Sequence, residues 1–68
     1  MKTHFNYEHC NLYSTEDKHF LACKGTLYMV TKDQINKILG ELVGKAPVDK
    51  AQYLTELAEK ETFKKIHI

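Results

Sequence analysis

A chain of 68 residues holds one domain and little else, because a domain of this size removes only about 60% of its unfolded surface from water and its core is correspondingly thin. Ten basic residues, all lysine, against nine carboxylates leave a formal net charge of +1 with both signs mixed along the chain, which argues against the clustered basic face of a duplex binder; the lack of arginine also disfavours bidentate reading of guanine edges and phosphates. No apolar run approaches the roughly 20 residues of a spanning helix and residues 1–6 lack the apolar stretch of a secretory signal, so the expectation is a cytoplasmic protein with no membrane partner, its Cys10 and Cys23 kept as thiols.

Two readings compete for the N-terminal half. In the first, residues 3–13 form a strand, Thr15-Glu16-Asp17-Lys18 is a turn, and residues 19–23 return antiparallel. Residues 26–30 then make a further strand or a continuation past a bulge at Gly25. In the second, Ser14 caps a short helix with Glu16 and Asp17 in its first turn, Lys24 near its end and Gly25 at its stop. The hairpin is favoured, because Thr26-Leu27-Tyr28-Met29-Val30 next to it is strongly strand-like.

The hairpin has a geometric consequence: Cys10 faces Cys23, Leu12 faces Leu21, and Tyr13 faces Phe20. One sheet face then carries Cys10, Leu12, Leu21 and Cys23, and the other Phe5, Tyr7, Tyr13, Phe20 and Tyr28. Helices can cover only one of these faces. The aromatic face is the larger apolar surface, and whichever is left open becomes a candidate contact surface.

A helix is predicted from Thr31-Lys32-Asp33-Gln34, whose spacing lets the threonine hydroxyl and the Gln34 side chain satisfy free amides reciprocally. Ile35, Ile38, Leu39, Leu42 and Val43 form one apolar stripe, Gly44 is a natural stop and Pro47 blocks continuation, giving a helix over about 32–45. Gly40 inside it costs about 1 kcal/mol relative to alanine, which points either to a close backbone neighbour or to a tolerated weakness. A second helix over about 50–61 is expected, capped by Asp49 with Gln52 in the reciprocal position and Ala51, Leu54, Leu57 and Ala58 as its stripe. Residues 63–68 then alternate as a terminal strand that joins the sheet.

Four constellations bear on chemistry. His4, His9, Cys10, His19 and Cys23 include the ligand types for zinc, but on a strand His19 and Cys23 stand roughly 13 Å apart, too far to share an ion. Cys10 and Cys23, opposed in a hairpin, are simpler to read as buried small hydrophobes than as a redox pair, with no Cys-x-x-Cys and no arginine nearby. His19 or His67 can be nominated as a general acid or base, but no companion is fixed at a defensible distance. Tyr7, Tyr13, Phe20 and Tyr28 resemble a base-stacking platform only in residue type, and periodic aromatics are more often core.

The architecture expected is one compact α+β domain over residues 1–68, with an N-terminal antiparallel β-hairpin or three-strand meander, two consecutive amphipathic helices on one face and a short C-terminal strand. The function expected is stoichiometric binding: an inhibitor or regulator of a larger protein or protein complex, with Tyr7, Tyr13, Phe20 and Tyr28 as the candidate partner surface and homodimerisation through the open face or an edge as an option. No catalytic residue, metal or cofactor is expected. Small size and lysine in place of arginine suit a phage or mobile-element protein directed at a host or host-defence factor, acting in the host cytoplasm. The alternatives are a nucleic-acid-binding regulator using the same aromatics with Lys18 and Lys24, and a histidine-dependent RNA-cleaving toxin.

Overall fold

The computed structural model describes residues 1–60 and 63–66. Strands β1 (Lys2–Tyr7), β2 (Cys10–Thr15), β3 (Lys18–Cys23) and β4 (Thr26–Val30) are followed by helices α1 (Lys32–Leu42) and α2 (Pro47–Lys60) and by strand β5 (Lys64–Ile66). All five strands form one antiparallel sheet in the order β1-β2-β3-β4-β5. The domain is thus α+β, with four strands before the helices where the sequence suggested two or three, and residues 14–25 belong to a strand pair and its turns, not to a helix.

The additional hairpin turns on Glu8-His9, inside the stretch expected as one strand over residues 3–13, and pairs Tyr7 with Cys10. Three two-residue loops fold the meander, and Glu8, Glu16 and Lys24 open them at φ 50, 51 and 51. Left-handed geometry at the loop matches the twist of the flanking strands. Only the third loop, Lys24-Gly25, carries the glycine this geometry favours, at φ 81; the Glu8-His9 turn has no such marker. The signal it does leave is a change of parity: apolar positions run 5, 7 and then 10, 12, as a two-residue loop requires when its flanking residues oppose one another.

Helix α1 begins as expected. Gln34 N donates to Thr31 Oγ1 at 3.1 Å and Thr31 N donates to Gln34 Oε1 at 2.8 Å, a complete capping box. Ile35, Ile38 and Leu42 are buried and Leu39 half-buried. The helix stops at Leu42, short of the expected end near 45. Val43 turns extended at φ −61, ψ 130 and Gly44 takes φ 83, so Val43 leaves the stripe and stands 80% exposed. No atom lies within 4 Å of where a Cβ on Gly40 would project, so Gly40 is a tolerated weakness and not a close approach.

Helix α2 starts earlier than expected, at Pro47, and Asp49 lies in its first turn instead of capping it. Proline suits the first helical position because its fixed φ is already helical and the amide it lacks would be unpaired there. Ala46 O accepts the first helical bond, from Lys50 N at 2.9 Å. Gln52 donates to Glu56 Oε1 at 3.4 Å along the helix surface rather than closing a cap. Ala51 and Leu54 point into the core with Leu57 and Ala58 beside them, and the expected end at residue 61 falls outside the described residues.

Both helices lie on one face of the sheet, packing on Leu12, Leu21, Cys10 and Cys23, and Leu12, Leu21 and Cys10 are fully shielded from solvent together with Leu54. Phe63 closes this core and leads into β5, which pairs antiparallel with β4; His67 and Ile68, assigned to the same strand from sequence, lie outside the described residues. No helix among the described residues is long and apolar enough to cross a membrane.

Candidate functional site

The register of the sheet decides which side chains share a face. Cys10 opposes Cys23, Leu12 opposes Leu21 and Tyr13 opposes Phe20, the pairing expected from the sequence. The aromatic face expected from the sequence divides, however. Phe5 opposes Leu12, Tyr7 opposes Cys10 and Tyr28 opposes Leu21, so these three stand on the helix-covered face and pack against its core. Of the four candidate contact residues, Tyr13 and Phe20 stay on the open face while Tyr7 and Tyr28 do not. The reason is the loop geometry: a two-residue turn at Glu8-His9 and another at Lys24-Gly25 each exchange odd for even positions on a given face. Tyr28 is held edge-on to Phe63 at 6.2 Å, and Phe5 stacks on Tyr7 at 6.3 Å beneath the Lys50 ammonium.

On the open face two rows cross the strands. One runs Thr3, Tyr13, Phe20, Met29 and Lys64, and the other Asn6, Asn11, Ala22, Leu27 and Ile66. Tyr13 and Phe20 stack with centroids 5.3 Å apart and planes 28° from parallel. Phe20, Met29, Leu27, Ala22 and Ile66 continue the apolar surface, each half-buried, and no helix among the described residues covers this side. Met29, Leu27 and Ile66 belong to the surface no less than Tyr13 and Phe20; the alternation of Leu27 and Met29 with Tyr28 and Val30 is the sequence signal for the first two. Asn11 Oδ1 is buried within the second row with no hydrogen-bond partner among the described residues.

The covered face holds two polar clusters. Cys10 Sγ lies 3.0 Å from Cys23 Sγ, and Thr55 Oγ1 of α2 stands 3.4 Å from each sulfur while donating to Ala51 O at 2.8 Å. Both thiols are free and buried. Burial pushes the Cys10 thiol up to about 11, with the neighbouring Cys23 adding to the rise and the Thr55 hydroxyl opposing it.

The second cluster was not anticipated as a unit. Between Thr3 and Phe5 the β1–β2 register shifts, leaving His4 as the extra residue of a bulge. His4 Nε2 approaches Ser14 Oγ at 2.8 Å, and His19 Nδ1 approaches the same oxygen at 2.6 Å. Desolvation lowers the His4 pKa first, with Lys2 and His19 lowering it further. No group of three or more His, Cys, Asp or Glu side chains among the described residues is arranged to hold a metal ion. His9 sits in its hairpin loop, away from His4 and His19 in the chain register.

Compared with known protein families, curated proteins and solved structures, the chain matches none.

Proposed function

We propose that the protein is a stoichiometric binding module whose contact surface is the open sheet face, centred on Tyr13, Phe20 and Met29 and extended by Leu27 and Ile66, and that its partner is a larger protein which it inhibits or regulates. The observation that carries the reading is a contiguous apolar surface, drawn from β2, β3, β4 and β5, on the side of the sheet that no helix among the described residues covers. A stacked tyrosine and phenylalanine with a flexible methionine beside them are the residue types that anchor protein interfaces.

The edges of the sheet are less suited to contact than its face. A bulge distorts β1, and β5 is a three-residue strand carrying Lys64 and Lys65, both devices that oppose strand addition. A face-to-face partner, including a second copy of the chain, is therefore favoured over an edge-to-edge one.

A second reading has one observation of its own: Lys18 and Lys64 stand on the same face as the stacked Tyr13–Phe20 pair, an arrangement that suits unpaired bases with a phosphate backbone. Capture from source-cell lysate after nuclease treatment separates the two. The wild-type protein retains a specific protein whose binding changes little between low and high salt, Phe20→Lys loses it, and Val48→Lys, on the exposed side of α2, keeps it. Retention only of nuclease-sensitive material, weakening steeply with salt, replaces the protein-binding reading with the nucleic-acid one.

A further inference from the structure

We propose that the open cavity between the β1–β3 side of the sheet and α1 binds a phosphate monoester, with Lys2, His4, Ser14 and His19 around the phosphate and the organic group resting on Ile35 and Leu39. The cavity has a volume of about 430 Å³, within the size range of small-molecule sites. It lies on the opposite face of the sheet from the contact surface, and neither assignment depends on the other.

The bulge at His4 is what builds it. Without an extra residue, Lys2 and His4 would stay in step with β2; with it, Lys2 opposes Ser14 while His4 also reaches the Ser14 hydroxyl. Bulges commonly re-aim a side chain in this way beside a functional site. Ser14 is only 9% exposed, yet two imidazoles converge on its single oxygen. Its one hydrogen serves one ring nitrogen, so the other ring must donate. Protonation of the accepting ring makes both rings donors to Ser14 and turns the serine hydrogen away from them. Such a cluster lacks an acceptor, and a phosphate oxygen in the cavity supplies it.

Charge selects an anion over a cation. Lys2 stands at the cavity wall with the two imidazoles, Glu16 is the one carboxylate among the described residues that lines it, and α1 contributes Asn36 as a further polar group and no charge. The Lys2 ammonium opposes any metal ion held by His4 and His19, and among the described residues no third ligand of the usual kind completes such a site. A dianion instead relieves the repulsion among Lys2, His4 and His19 and accepts charge-assisted hydrogen bonds from them. Donors converging from β1, β2 and β3 suit a tetrahedral oxyanion better than a planar carboxylate. The apolar floor of Ile35 and Leu39, on α1, adds nothing for inorganic phosphate but shelters an organic substituent.

Binding then takes up a proton, because the dianion favours the charged His4 imidazole that desolvation, Lys2 and His19 disfavour in its absence. The test follows the histidine ring resonances by NMR while the full chain is titrated with phenyl phosphate, inorganic phosphate and phenol. Phenyl phosphate should shift His4 and His19 and bind severalfold more tightly near pH 6.5, where it is still mainly the dianion, than near pH 8, and roughly tenfold more tightly than inorganic phosphate. His19→Gln should weaken it about tenfold, and Lys2→Met, an exposed position that leaves the fold intact, severalfold. No shift of either ring, equal binding of phenol, or affinity unaffected by Lys2→Met overturns the proposal. Equal affinity for inorganic phosphate overturns the assignment of an organic group to Ile35 and Leu39.

Discussion

Cys10 and Cys23 are both buried thiols. They oppose one another across the β2–β3 pair, their sulfurs 3.0 Å apart under Thr55, and burial raises the Cys10 thiol to about 11. With its folded pKa above the ordinary thiol value, Cys10 contributes stability that is fully present below that ordinary value and lost as pH rises towards about 11. Both thiols should therefore react with an alkylating reagent at neutral pH only at the rate of unfolding, and rapid native labelling of both would contradict their burial. His4 behaves in the opposite sense. Its folded pKa is lowered by desolvation, Lys2 and His19, so its contribution is present above the ordinary histidine range and is lost as pH falls through the lowered value. Denaturant unfolding across mildly acidic pH should show stability falling with acid, and His4→Gln should flatten that dependence.

At the scale of elements, the two helices were largely legible in the sequence because their determinants are local. Thr31 and Gln34 form the capping box their spacing implied, and Thr31→Ala should cost about 1 kcal/mol in chemical denaturation. Gly40, whose Cβ would meet open space, should accept alanine with a gain of about 1 kcal/mol; a loss would reveal a backbone contact. Leu54, fully buried where α2 meets the sheet, should cost roughly 2 to 5 kcal/mol on change to alanine, enough to unfold much of so small a domain. The helix ends were less legible, since Val43 fits the stripe by position and leaves it only because Gly44 turns the chain. The β2–β3 register could be read from the Thr15–Lys18 turn, whereas the Glu8-His9 turn hides behind residues with no turn preference. That omission moved Tyr7 to the wrong face, and the tight Lys24-Gly25 loop moved Tyr28 with it. The bulge at His4 left no local mark at all, and with it went the meeting of His4, Ser14 and His19.

For the whole molecule, the sheet divides its labour between two faces. One face, with Leu12, Leu21, Cys10 and Cys23, takes both helices and supplies the core. The other keeps Tyr13, Phe20, Leu27, Met29 and Ile66 in a continuous surface that adds nothing to that core, although a thin 68-residue domain has few apolar side chains to spare. Retaining them outside is the feature that binding explains. The most direct test is hydroxyl-radical footprinting of the protein alone and in the complex recovered by capture, since Tyr13, Phe20 and Met29 are among the most readily oxidised side-chain types. Protection concentrated on these three, with Val43 and Val48 of the helical side unchanged, is the result predicted. Protection of the helical side with Tyr13, Phe20 and Met29 oxidised as freely as in the isolated protein would contradict the assignment of the open sheet face as the contact surface.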